Sequence, residues 1–380
     1  MIPAVLLLAS SQNPTVQGFQ VYRLESATSR MSQFVRDQEV AGVVGLVQRN
    51  GIEVSFTAHG YASLDPKKLM KKDSIFQIMS MTKPVTAVAV MICAERGLLN
   101  LDDPVSRYLP SFGKLNVKQV DGTTKPANRA ITIRHLLTHT SGLSSSDPGG
   151  LDDDTKSKMT LADYASRYGS DSLESEPGTQ IRYSGPGITA AGRIVEIVSK
   201  RKFDDFLQAE VFERLKMSDT VFFAPESFRS RIAQMTWLEE GKWRSIDVDP
   251  MRPGSKFANP AGGLYSTASD MAKFMTCIVN GGANILSKRS VHAMTTLQTG
   301  DLLSDGNDIQ GYGLGFSVIR HTAGSPTLRP AGSFGHTGAF NTEMWADPKT
   351  KTVVVFMSQT WNERPRKTFT TMINAAFVGP

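Results

Sequence analysis

The chain predicts an α+β protein, in which an α/β body assembled from both ends of the sequence carries a mostly helical insertion. Three observations lead there. Residues 43–56 alternate and turn like a β-hairpin, Ser80 to Glu95 is apolar on nearly every face as a fully buried helix is, and residues 313–358 return to strand-like runs after a long helical middle. Strands near both termini with helices between favour one body built from the two ends. The expected boundaries are 18–85 and 255–380 for the body and 86–254 for the helical part, with the site in the cleft between them.

The hairpin rests on Val43-Val44-Gly45-Leu46-Val47, the turn Asn50-Gly51 and Ile52-Glu53-Val54-Ser55-Phe56. The helix after Ser80 closes at Gly97. Asp102-Asp103-Pro104 and Thr132 are helix-start signals, and Gly187 to Lys200 and Phe203 to Leu215 have helical spacing. Met271 to Val279 follows Ser269-Asp270 as a capped helix. Gly313 to Val318, Glu343 to Ala346 and Lys351 to Ser358 read as strands, the last two joined by a turn at Asp347-Pro348-Lys349-Thr350. Thr368 to Phe377 closes the chain as a helix.

With 380 residues there is material for a large core, and 42 basic against 36 acidic residues leave a formal charge of only +6. No basic run interleaved with aromatics marks a nucleic-acid surface. Two distant cysteines, Cys93 and Cys277, form neither a disulfide framework nor a cysteine zinc site. The apolar opening Ile2 to Ala9 lacks a basic leader region and is too short to span a bilayer, so it reads as a degenerate signal at most. No later run is long enough to make an integral membrane protein, which leaves a soluble chain, cytoplasmic or exported, of open oligomeric state.

Chemistry points first to Ser80-Met81-Thr82-Lys83-Pro84. Residues three apart share a helix face, so the Ser80 hydroxyl and the Lys83 amine can meet. Pro84 fits the first turn, where backbone N–H groups have no helical acceptor, and those free donors favour an anion developing at the serine. A lysine acts as base to a serine only if its pKa is depressed, and the apolar surroundings of Lys83 suit that.

Around this motif the sequence resembles the serine β-lactamases of class C, the D-Ala-D-Ala peptidases and, most closely, the family VIII carboxylesterases. Five blocks carry the resemblance, in the family's order: residues 76–84 around Ser80, Ile133-Arg134-His135-Leu136-Leu137-Thr138-His139-Thr140-Ser141-Gly142-Leu143, Pro177 to Ser184, Ala261 to Thr267, and Gly335-His336-Thr337-Gly338. The resemblance implies a β-lactamase/transpeptidase-like fold with a central antiparallel sheet flanked by helices. It makes Ser80 the acylated nucleophile, Lys83 its base and Tyr183 a proton relay whose pKa the neighbouring lysine charge would lower. The backbone N–H groups of Ser80 and Ala339 would form the oxyanion hole. His336, Thr337 and Gly338 would line the opposite wall, with Phe340 and Trp345 at the substrate. Neither metal nor organic cofactor is implied.

Two residues depart from the β-lactamase pattern. Gly185 stands where the tyrosine motif has an asparagine, and His336 where the third motif has a lysine, which weakens recognition of an acylamino-carboxylate. The expected partner is therefore a small-molecule ester with a short acyl group, with weak β-lactam hydrolysis as a side activity. A β-lactamase, a D-Ala-D-Ala carboxypeptidase, an acyltransferase or amide hydrolase, and a non-catalytic binding protein are the alternatives.

Other features carry less. His135 and His139 have helical metal-ligand spacing without a third ligand and read as structural. The elbow G-x-S-x-G of α/β-hydrolases does not occur. Asp152-Asp153-Asp154 reads as a solvated loop, and Trp361 is a further aromatic for which core and acyl pocket are the two readings.

Overall fold

The computed structural model describes residues 14–168, 171–246, 255–304 and 308–379. The apolar opening at Ile2 to Ala9 lies outside them.

Strands β1 (Gly42–Arg49), β2 (Ile52–Leu64), β3 (Lys67–Leu69), β4 (Gln310–Tyr312), β5 (Ser317–Ile319), β6 (Phe334–Gly338), β7 (Thr342–Asp347) and β8 (Thr352–Ser358) form one antiparallel sheet, in the order β4-β5-β6-β7-β8-β1-β2-β3. The two ends of the chain meet where β8 pairs with β1, Val354 opposite Val47. The turn between β1 and β2 is the expected Asn50-Gly51, both residues left-handed at φ 53° and 78°.

Helices α1 (Val21–Arg36), α2 (Thr82–Glu95), α3 (Ile133–Leu137), α4 (Gly185–Ser199), α5 (Ala268–Val279) and α6 (Arg364–Ala376) cover both faces. Side chains alternate across a strand, and the two faces have separate cores. Val43, Val47, Trp345, Val354 and Phe356 pack with Met31 and Phe34 of α1 and Phe369 and Ile373 of α6. Val44, Leu46, Met344, Val353 and Val355 pack with residues of α2 and α5 in the larger core, which continues into the helical part. Because both faces are covered, β8 is apolar in an unbroken run, Val353-Val354-Val355-Phe356-Met357, instead of alternating.

Several elements differ from expectation. Of the expected strand Gly313 to Val318, Gly313 to Phe316 is the turn joining β4 to β5 and Ser317 and Val318 begin β5; Gly315 adopts φ 77°, and a Cβ there would sit 2.3 Å from Cβ of Ala87. Helix α5 begins earlier than Ser269-Asp270, with Thr267 as cap accepting from the Asp270 N–H. Asp152 likewise caps a helix, Asp153–Lys158, accepting from the Thr155 N–H. Helix α1 and the hairpin Met235–Glu239/Lys242–Ile246 have no counterpart in the sequence reading. Among the described residues no helix is long and apolar enough to cross a membrane.

Candidate active site

The site is built where α2 begins against the end of β6. A single 3₁₀ turn, Met79–Met81, precedes α2, and Met79 is held at φ 48°. A left-handed methionine directly before Ser80 is a strained position of the kind that persists at functional sites. Two contacts hold this corner to the sheet: the Ile78 N–H donates to Leu264 O at 3.0 Å, and Thr342 Oγ1 donates to Ile78 O at 3.2 Å. Gly338 is required here, because a Cβ on it would stand 2.3 Å from the Ile78 oxygen. Ala339 directly follows this close approach as the first residue after β6.

Residues Thr82 to Cys93 of α2 are all buried, Lys83 among them at 3% exposure. Lys83 Nζ lies 2.8 Å from Ser80 Oγ and donates to Ala261 O at 2.6 Å. No carboxylate pairs with it among the described residues, so burial acts unopposed and lowers its pKa to about 7. The Ala261 loop is itself fixed to α2, Thr86 Oγ1 donating to Pro260 O at 2.7 Å.

Tyr183 comes from the segment before α4 and reaches the same point. Its phenol hydrogen-bonds Ser80, and its ring centroid lies 4.8 Å from Lys83 Nζ. The residue keeps 37% of its surface open to the cleft, yet burial raises the phenol to about 12, the bond to Ser80 opposing. This corrects the expectation of a tyrosine pulled down by lysine charge: the lysine is the group depressed, and the phenol holds its proton.

Ser80, Lys83 and Tyr183 are thus together, and Gly338 packs against Ile78, two residues before the serine. His336 is buried on β6 with its ring 6.1 Å from that of Tyr183. Its Nδ1 lies 2.7 Å from Thr337 O; a carbonyl only accepts, so the proton is on Nδ1 and Nε2 is a bare acceptor. Burial, with Lys83 adding to it, lowers the imidazole to about 3. Thr337 is exposed at the cleft. Trp345 does not belong to the site: it is on the opposite face of the sheet, 1% exposed in the core beneath α1 and α6. The side-chain period of two on β7 sends Met344 to the site side and Trp345 away. Phe340 is at the site's edge, its ring perpendicular to that of Trp361 at 5.2 Å.

His139, read from the sequence as structural, holds Tyr183 in place, a role that the sequence reading did not specify. Its carbonyl accepts from the Arg182 N–H at 2.7 Å, its Nδ1 accepts from the Ser184 N–H at 3.1 Å, and its ring lies 4.5 Å from the Tyr183 ring. It therefore holds the backbone on both sides of Tyr183. It is fully buried at φ 56°, and Nε2 has no partner among the described residues. The pairing with His135 seen in the sequence dissolves, since His135 Nδ1 accepts from the Thr132 N–H in a capping box on α3. The left-handed turn at His139 is what separates the two rings.

A serine beside a depressed lysine and a protonated phenol is an arrangement suited to acyl transfer. Residues 27–376 match the model of the Beta-lactamase family, and the chain belongs to that family of serine hydrolases. It is 30% identical to Protein Rv1367c of Mycobacterium tuberculosis over 84% of this chain and 86% of that one. It is 28% identical to Esterase EstB of Burkholderia gladioli over 87% of this chain and 91% of that one. The solved structure of EstCE1, a hydrolase with promiscuous acyltransferase activity, superposes with a TM-score of 0.82 at 23% identity, over 93% of this chain and 99% of that one.

Proposed function

We propose that the protein is a serine carboxylesterase working through an acyl-enzyme on Ser80. The observation that carries this is the 2.8 Å contact between Ser80 Oγ and a lysine amine held near neutrality by burial. Ser80 Oγ attacks the ester carbonyl while its proton passes to Lys83 Nζ. The oxyanion is received by the N–H groups of Ser80 and Ala339. The carbonyl–alkoxide bond breaks as Tyr183 donates its proton to the departing oxygen, and the proton on Lys83 restores the phenol. Water then loses a proton to the same pair and attacks the acyl carbon, Ser80 Oγ is reprotonated, and the acid leaves.

Ester in preference to β-lactam or peptide follows from what surrounds the triad. Gly185 offers no side-chain amide, and His336 offers a neutral acceptor where a carboxylate-binding cation would be needed. EstB, similar along most of this chain, is an esterase by name. The test is kcat/KM for p-nitrophenyl butyrate and a chromogenic cephalosporin, each with wild type and Ser80→Ala. Ester turnover that exceeds cephalosporin turnover and vanishes in the variant supports the reading. Cephalosporin turnover equal to or above ester turnover makes the protein a β-lactamase, and turnover that survives Ser80→Ala removes the nucleophile.

A further inference from the structure

Beyond Ala339 the surface opens into a groove of about 600 Å³, within the roughly 300–1,000 Å³ of small-molecule sites. Phe340, Trp361, Trp237, Leu238 and Met235 supply its apolar wall, and Asp37 and Glu39 stand at its rim. Leu238 and Trp361 are 48% and 68% exposed. Such a concentration of solvent-facing aromatic and aliphatic surface indicates something that covers it.

Phe340, which lines the groove, directly follows Ala339, the oxyanion donor of the reading above. Phe340 and Asn341 are both left-handed, at φ 61° and 68°, and Asn341 Nδ2 donates to Thr360 O at 2.7 Å. That bond ties the chain after the oxyanion residue to the end of β8 and sets the Phe340 ring against Trp361. The four groups on the tetrahedral carbon then have assigned directions. One is Ser80 Oγ, the oxyanion faces the Ala339 N–H, and the leaving oxygen lies at Tyr183. On the esterase reading the acyl substituent takes the remaining direction, which we assign to the side of Phe340.

Resting on the esterase reading above, we propose that this groove receives the acyl chain, so that the enzyme takes medium-length, uncharged aliphatic or aromatic acyl esters in preference to acetate. Glu39 is paired with Arg364 at 2.8 Å, and the Asp37 carboxylate beside that pair disfavours a chain ending in a second carboxylate. Burial of each methylene is worth about fourfold in transition-state affinity when it is fully covered. Because the groove is partly open, the gain from butyrate to octanoate is smaller than that limit, and we expect at least about tenfold.

The experiment measures kcat/KM for p-nitrophenyl acetate, butyrate, octanoate and hydrogen succinate with wild type, Trp361→Ala and Leu238→Glu. The expected result is a rise from acetate to octanoate, succinate below butyrate, and an octanoate-to-acetate ratio that falls at least about fivefold in either variant. Trp361 and Leu238 are exposed enough that both variants should fold, which thermal melting checks. A flat or falling profile, or a ratio unchanged in both variants, overturns the groove assignment while leaving the esterase reading intact. Absence of Ser80-dependent turnover on every ester overturns both.

Discussion

His139 grips Tyr183 from behind: carbonyl and ring nitrogen accept the N–H groups of Arg182 and Ser184, 2.7 and 3.1 Å away, while the imidazole covers one face of the tyrosine at 4.5 Å. The phenol's position over Ser80 is thus set by a residue that makes no contact with the nucleophile. This makes His139 a positioning residue. Displacement of a catalytic group by about 1 Å can cost on the order of 100-fold, so His139→Ala should lower kcat on that scale with a smaller change in KM. Asparagine tolerates a left-handed backbone and offers an oxygen near the place of Nδ1, so His139→Asn should recover much of the loss. In a Tyr183→Phe background His139→Ala should add little. Additive losses in that double variant would make His139 a purely structural residue.

The pH dependence of ester kcat/KM should have a single limb through the usual range. Attack needs Lys83 neutral, and with its pKa lowered to about 7, activity falls as pH drops through that value. Tyr183 keeps its proton until about 12, so no descending limb appears before then. A bell with an alkaline limb near 9 would mean that the phenol titrates where a lysine-depressed tyrosine would.

The same buried amine links pH to stability. Burial lowers Lys83 from 10.5 to about 7, so between those values the unfolded chain binds a proton that the folded chain lacks, and stability rises with pH across that window. Below it, the cost of the buried charge is fully present. Lys83→Met should be more stable than wild type below pH 7, with the difference shrinking towards pH 10.5. Equal pH profiles of Tm in the two proteins would show that the amine is solvated.

Acid should destabilise the fold through the second buried imidazole. His336 is lowered from 6.5 to about 3, so as pH falls through this range the unfolded chain takes up a proton first and stability is lost. His336→Gln should lose less stability between pH 6.5 and 4 than wild type, as read by denaturant unfolding. An identical acid profile would contradict the buried neutral ring.

Gly185 is a test of substrate class. A Cβ there would meet nothing closer than the Ala261 Cβ at 3.7 Å, so the backbone leaves room for the asparagine that β-lactamases have. One restored hydrogen bond is worth about 2- to 10-fold, and Gly185→Asn should raise the cephalosporin-to-ester ratio by that order. An unchanged ratio would place the discrimination elsewhere in the cleft.

Local signals made much of this legible. The Asn50-Gly51 hairpin, the all-round apolar α2 and the S-x-x-K spacing are properties of contiguous residues, and the structure has the corresponding elements in place. What escaped depends on residues far apart in sequence. Trp345 and Met344 differ by one position and fall on opposite faces, a distinction that alternation cannot reveal in strands covered on both sides. His139 looked like the partner of His135 at helical spacing, because nothing local announces a left-handed residue that ends α3 and turns one ring towards Tyr183. The direction of the Tyr183 shift depends on the phenol's own burial, which is a property of the packed structure. Helix α1 lies in a polar-rich stretch whose apolar positions, Leu24, Ala27, Met31 and Phe34, are sparse.

The most direct test of the central claim is mass spectrometry of the protein after reaction with a p-nitrophenyl alkylphosphonate, with turnover of p-nitrophenyl butyrate followed in the same sample. The account predicts one phosphonyl group per chain, on the peptide containing Ser80, ester turnover lost in proportion to labelling, and strongly slowed labelling in Lys83→Ala. Label on another residue, or full turnover in a protein phosphonylated at Ser80, would contradict it.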